Sequence, residues 1–366
     1  MLILAGLIPL FMADNQLVDY MKRQVKTLIR YLQKKRDDVR RKIGMLFFDK
    51  KITSRRVKKI LVMRLDAKWG DSIVSSFFFR EAVKSNFDVT VLTVPSLVSL
   101  YQDEFLASKV FSLPKRPGYI SLYKLAKSIG DVDAVIHLVD RMSMKDMFFI
   151  RLLRPGMVFS LDDDLELVNG KMGNVTKNIS YANKYAFVLN EIGVNDVDLS
   201  YVIPKTTDDS IVPYDVLFNP FGSTKNKSLT VEHANKTLYN LAEKFKNKRF
   251  GILSSPGTRN VALLMKPQGM DNVSVVENIT TIYDAISHIR CCKTLISVDT
   301  ALVHIGDGLN KNIIAIFPRN NTEFNPWLPA DKPNISILFS DANGSEVDLN
   351  NFNINELLRG CEKLLS

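Results

Sequence analysis

The sequence predicts an α/β protein of two successive Rossmann-like domains facing a cleft, preceded by a basic amphipathic helical arm. Three observations carry this prediction. From residue 58 onward, short β-branched or aliphatic runs alternate with longer segments of helical period, the pattern of parallel strands joined by crossover helices. Residues 203–213 interrupt that alternation with two prolines among small polar residues, as a linker does, and the alternation restarts behind them. Charge is concentrated at one end: residues 22–59 hold sixteen Lys or Arg against Asp37, Asp38 and Asp49, a net +13. The whole chain is +10, so everything else carries −3.

The arm comes first. Met21, Val25, Leu28, Leu32, Val39, Ile43 and Leu46 recur close to helical spacing, and Lys and Arg fill most of the remaining surface. Such a helix can lie in an anionic membrane interface, where each basic residue adds about 1 kcal/mol of attraction. It can equally be a solvated helix packed on the protein. A nucleic-acid partner is not expected, because the arm has no interleaved aromatics and the chain no RNA- or DNA-binding signature. Residues 1–12 are apolar but fall short of the roughly 20 residues that cross a bilayer. They lack the positive flank of a secretory signal, which suits a shallow anchor.

In the first domain, strands are expected at 60–65, 89–94, 134–139 and 157–161, with helices over 71–84, 119–129, 144–153 and 179–192. The second domain offers strands at 216–219, 250–254, 273–276, 294–298 and 313–317, and helices over 231–245, 282–289 and 301–309. The boundaries are therefore 1–56 for the arm, 57–204 and 214–366 for the domains, and 205–213 for the linker. At 366 residues, 46% hydrophobic and 24% charged, the chain has ample material for two cores. Cys291, Cys292 and Cys361 form no metal-ligand spacing, so a reducing compartment is the simpler expectation. Asp162, Asp163 and Asp164 are read as solvated loop acids, and no metal or other cofactor is expected.

Ligands of open parallel sheets bind outside the carboxyl ends of the strands. The first strand exits into Arg64-Leu65-Asp66-Ala67-Lys68-Trp69-Gly70-Asp71, where Asp71 either caps the next helix or serves as a base. Cationic Arg64 and Lys68 would keep it ionised and attract an acidic acceptor. No GxGxxG follows the strand, so this is not a dinucleotide fingerprint. The second domain opens with a strand running into Gly222-Ser223-Thr224-Lys225-Asn226-Lys227, which can cradle a diphosphate or be a plain polar loop. A third exit, after 294–298, reads Asp299-Thr300-Ala301-Leu302-Val303-His304. The pair that starts this helix can cap it or use its N–H groups to bind an anion, with His304 one turn on.

Over roughly residues 58–330 these segments together resemble glycosyltransferase family 9, the ADP-heptose:lipopolysaccharide heptosyltransferases. Ser297 to His304 is the most specific element, followed by Asn325-Pro326-Trp327-Leu328-Pro329; residues 179–185 resemble the helix before the family's linker. The resemblance implies a GT-B fold, with the acceptor on the first domain and the nucleotide sugar on the second. It implies inverting transfer of a heptose from ADP-heptose to the Kdo or heptose inner core of lipopolysaccharide, the alternatives being a family member that uses another nucleotide sugar or a non-catalytic glycolipid-binding paralogue. Asp71 would be the general base, and Arg64 and Lys68 would meet the lipid A/Kdo-type acceptor. Gly222, Ser223, Thr224 and Lys227 would hold the diphosphate, Asp299 the sugar hydroxyls, and Thr300, Ala301 and His304 would complete the donor site. The enzyme would work in the cytoplasm, peripherally on the inner face of the cytoplasmic membrane. Two departures stand out: Ala301 replaces a usual glycine, and Leu229-Thr230 replaces a usual Trp-Pro.

Overall fold

The structure is a computed structural model that describes residues 4–114, 117–206, 211, 213–319, 325–341 and 348–365; side chains are described for Met21 and from Gln24 onward. Residues 1–3 of the apolar start and 207–210 and 212 of the expected linker lie outside the described residues, as do the side chains of 4–20. The chain opens with α1 (Leu4–Phe48). It continues through β1 (Lys59–Met63), α2 (Trp69–Val74), α3 (Ser76–Lys84), β2 (Asp88–Thr93), β3 (Lys109–Ser112), α4 (Tyr119–Ile129), β4 (Ala134–Ile136), α5 (Met144–Leu153), β5 (Met157–Ser160) and β6 (Gly170–Lys171). After α6 (Tyr181–Glu191) come β7 (Val216–Asn219), α7 (Val231–Lys244), β8 (Phe250–Ile252), α8 (Arg259–Met265), β9 (Val273–Val275) and α9 (Ile282–Cys291). The last elements are β10 (Thr294–Val298), α10 (Ala301–Gly308), β11 (Asn312–Pro318), β12 (Ile335–Ser340) and α11 (Ile354–Leu365).

The strands form two six-stranded parallel sheets. Contacts group the residues into two compact units, Met1–Val57 with Pro117–Val175, and Lys58–Arg116 with Thr176–Ser366.

The first unit carries α1, α4, α5 and the parallel strands β4-β5-β6. Its arm is a single helix whose last turns pack on α5. Arg41 there is buried and reaches both oxygens of Asp162 at 2.6 and 2.9 Å, and Phe48 meets Phe148 edge to face. Asp162 is therefore not a solvated loop acid: it is 2% exposed, and it also accepts the Met142 N–H at 2.7 Å. A buried carboxylate persists only where partners replace its water, and Arg41 supplies the charge. Asp163 caps the backbone of Gly173 and Asn174, and Asp164 is exposed. Earlier on the same helix, Met21, Val25, Leu28 and Leu32 are exposed. The arm is therefore packed on the protein along its last turns, while these earlier apolar side chains are exposed.

The second unit holds β3-β2-β1, all parallel, and the complete second sheet in the order β12-β11-β10-β7-β8-β9. In β11 the two faces are both buried, as a parallel sheet requires: Ile314 and Ile316 join the core under α7, α8 and α11, while Ile313, Ala315 and Phe317 pack with Val303 of α10. Each of the Ile, Val and Phe side chains among them stabilises the fold by roughly 1.5–3 kcal/mol. The order reverses between β10 and β7, which pair directly with Ser297 opposite Asn219. Chain direction diverges on either side of that pair, leaving a crevice at its carboxyl end.

The helix expected over 71–84 is two helices. Ser75 ends the first with φ −92° and ψ 0°, and its hydroxyl donates to the Ser72 carbonyl at 3.0 Å, an alternative to the helical ladder.

Candidate active site at three strand exits

The exits of β1, β7 and β10 all belong to the second unit. α2 begins at Trp69 after Lys68, so Asp71 is a first-turn residue and not the helix cap. Its carboxylate lies 3.7 Å from the Arg64 guanidinium and 3.7 Å from the Lys68 ammonium. Burial, followed by a side-chain hydrogen bond with Asp66, pushes the Asp71 carboxyl up to about 6, even though Arg64 and Lys68 pull it down. Arg64 is itself buried. Its Nη1 meets the Tyr185 hydroxyl at 3.2 Å, its Nη2 approaches Asp66 at 3.3 Å, and its Nε finds no hydrogen-bond partner among the described residues. Lys68, by contrast, is exposed.

Gly70 explains how close the first exit comes to the third. A Cβ placed there would sit 3.3 Å from the Ala301 Cα and 3.6 Å from the Ala301 methyl, tighter than most side chains tolerate. The turn before Asp71 therefore lies against the first residue of α10, and the Ala301 methyl fills space beside it. Trp69 continues the contact layer, its ring edge on to Tyr283 at 5.5 Å.

The loop after β7 is closed on itself. The Gly222 N–H donates to the Ser228 hydroxyl at 2.9 Å, that hydroxyl donates to the Thr224 carbonyl, and a Cβ on Gly222 would stand 2.0 Å from the Lys227 carbonyl oxygen. Only glycine fits. Ser223, Thr224 and Lys225 are exposed, while Lys227 reaches across to Asp299 with Nζ 2.8 Å from Oδ2. The expected diphosphate cation and the expected sugar ligand are thus each other's partner.

Thr300 is the N-cap of α10, its hydroxyl accepting the Leu302 N–H at 3.3 Å. Behind it lies a buried group that the sequence reading did not single out. The Asn219 amide, at the end of β7, donates to the hydroxyls of Ser297 at 3.0 Å and Thr300 at 3.2 Å. A polar pair facing itself across the switch point, Asn219 at the end of β7 and Ser297 one residue before the end of β10, was the available signal. His304 is on the buried side of α10, edge on to Tyr201, and burial pushes it down to about 4, so it is neutral at ordinary pH. Its Nδ1 finds no partner among the described residues. Residues 179–185 and 325–329 also come together: Tyr181 stacks on Trp327 at 4.0 Å, and its N–H donates to the Pro326 carbonyl. Among the described residues no three His, Cys, Asp or Glu side chains gather as a metal-binding group.

A carboxyl held near 6 at one strand exit, beside a helix N-terminus flanked by a Lys and an Asp, can exchange a proton next to a place where an anion is stabilised. No protein-family model matches the chain. Among curated proteins it is 23% identical over 328 residues, 80% of this chain and 85% of the relative, to "Putative lipopolysaccharide heptosyltransferase 4" of Escherichia coli K12. Among solved structures, a glycosyl transferase family 9 protein of Veillonella parvula superposes with a TM-score of 0.67 at 16% identity, over 86% of this chain and 99% of its own. E. coli ADP-heptose lps heptosyltransferase II gives 0.63 at 13% identity, over 84% and 98%, and E. coli heptosyltransferase WaaC with ADP gives 0.61 at 14%, over 83% and 99%. The fold is thus GT-B, with two Rossmann-like sheets. The chain resembles glycosyltransferase family 9 heptosyltransferases in fold and, at 23% identity, in sequence.

Proposed function

We propose that this protein is an inverting glycosyltransferase that moves a heptose from ADP-heptose to the Kdo or heptose inner core of lipopolysaccharide. Asp71 takes the proton of the acceptor hydroxyl. The freed oxygen attacks the anomeric carbon from the face opposite the diphosphate, and the carbon–oxygen bond to ADP breaks with inversion. Lys227, Ser223, Thr224 and the start of α10 offset the charge on the leaving diphosphate, and Asp299 holds sugar hydroxyls. Residues 57–204 act as the acceptor domain, 214–366 as the donor domain and 205–213 as their linker, with 1–56 as the arm. The observation that carries this reading is the contact of Gly70 with Ala301, which sets the Asp71 turn beside the N-terminus of α10.

The arm supports a location on the inner face of the cytoplasmic membrane. Its exposed Met21, Val25, Leu28 and Leu32 share the helix with Lys26, Arg30, Lys34 and Lys35, a composition that binds anionic interfaces and releases in salt. No helix among the described residues is long and apolar enough to cross a membrane. A second reading, transfer of another nucleotide-linked sugar, is favoured by Ala301, whose methyl narrows the space beside the turn.

The test is turnover by the full chain. ADP release from ADP-heptose in the presence of a lipid A/Kdo acceptor is expected. Release with another nucleotide sugar selects the second reading, and no turnover with any nucleotide sugar overturns both.

A further inference from the structure

We infer that Asp66 is a positioning residue that tunes Asp71 as a proton acceptor, by competing with it for a single guanidinium nitrogen of Arg64. The inference rests on Asp71 being the base of the proposed transfer. Its grounds are the geometry around Arg64. The guanidinium is buried, and its Nη1 side is taken by Tyr185, with Tyr101 close by. Nη2 approaches both carboxylates, 3.3 Å from Asp66 Oδ2 and 3.7 Å from Asp71 Oδ2. One nitrogen thus serves two acids, and two carboxylates this close repel unless a proton lies between them.

The two acids are not equivalent. The Asp66 side chain is 37% exposed and that of Asp71 15%, so water screens the first far more than the second. The shared arrangement therefore keeps a proton on the more buried acid at mild acidity, and Asp71 is the one pushed up. The remaining ionisable groups nearby have other partners or stand in solvent. Lys68 approaches Asp71 from outside and is 67% exposed. On α10, which packs on α2, His304 lies against Tyr201 and Asp307 pairs with Lys332; Asp299, just before α10, pairs with Lys227. Nothing among these replaces Asp66 as the acid that shares Arg64. A weaker hold by Arg64 on Asp71 is useful to a base: an Asp71 with Arg64 to itself would be a much poorer acceptor of a hydroxyl proton.

The test needs no substrate for its first reading. In the full chain, carboxyl carbon-13 resonances are titrated by NMR, and the Asp71 signal is identified as the one that Asp71→Asn removes. In wild type its midpoint is expected near 6, and in Asp66→Asn about one pH unit lower. The acid limb of kcat should move down with it, and the plateau rate should fall about 3- to 10-fold, while donor KM stays unchanged. Asp66→Glu, which keeps the charge, should restore most of the midpoint. If Asp66→Asn does not fold, Asp66→Ser carries the same readings. An Asp71 midpoint that stays in place in the folded variant overturns the inference. If instead the midpoint moves but Asp71→Asn still turns over, the proposed base fails and the coupling of the two acids stands.

Discussion

The exit of β1 and the exits of β7 and β10 are both charged and both lie at the carboxyl ends of strands, yet they are satisfied in opposite ways. Around β1 two cations face two acids, but burial and sharing leave Asp71 with its proton held to about 6. Around β7 and β10 the charges are already neutralised: Lys227 is on Asp299, Asn219 bridges the hydroxyls of Ser297 and Thr300, and His304 is neutral. The first is an unstable electrostatic arrangement of the kind that chemistry on a proton needs. The second is a closed scaffold whose polar groups partner one another. Groups tuned for reaction destabilise the fold they sit in, and groups that only hold need not.

The largest effect that would break this contrast comes from Asp71→Asn. Turnover should fall about 10²- to 10⁴-fold with donor binding retained. The same variant should be more stable than wild type at pH 8. A carboxyl raised from 3.8 to about 6 in the folded state opposes folding once it ionises, so its cost grows as pH rises from about 4 to 6 and persists above. The gain is on the order of 1–3 kcal/mol, read as a higher denaturant midpoint. A variant less stable at pH 8 would mean that Asp71 is a structural acid.

A second effect, smaller on rate, tests the closed side. Lys227→Met should raise donor KM by about 10- to 100-fold, as expected for loss of one charge-assisted contact. It should leave kcat nearer to wild type than Asp71→Asn does. An unchanged KM would remove Lys227 from the donor site and return attention to Lys225.

The smallest effect separates the two sides by pH alone. His304, lowered from 6.5 to about 4, must stay neutral in the fold, so it removes stability as pH falls from about 6.5 to 4. Asp71 acts with the opposite slope over nearly the same window. His304→Phe should flatten acid destabilisation in thermal melts between pH 4 and 6.5, and Asp71→Asn should steepen it. The same change in both variants would show that the two exits are not electrostatically distinct.

Much of the fold could be read from strands that are continuous aliphatic runs, such as β10 and β11, because burial on both faces leaves no room for polar residues. β3 and β12 escaped. Lys109 and Ser112 bracket a two-residue apolar pair in β3, and β12 is half exposed along its length, so neither stands out from a loop. At the site, Asp71, Lys227, Asp299 and Thr300 were legible because each follows a strand. Tyr185 was not: it meets Arg64 from 121 positions away, and such a contact follows from sheet and helix packing, not from local pattern. Asn219 ended an expected strand and Asp66 lay inside a quoted segment, but their importance depends on which neighbour their polar atoms reach.

The Lys227–Asp299 pair has a consequence for timing. A nucleotide that draws Lys227 away must displace a carboxylate fixed 2.8 Å from the ammonium, an anion that never diffuses off and so acts at high effective concentration. Were Lys227 to hold the diphosphate as proposed, the pair would be a built-in rival of the spent product, trading some grip on arrival for a quicker exit.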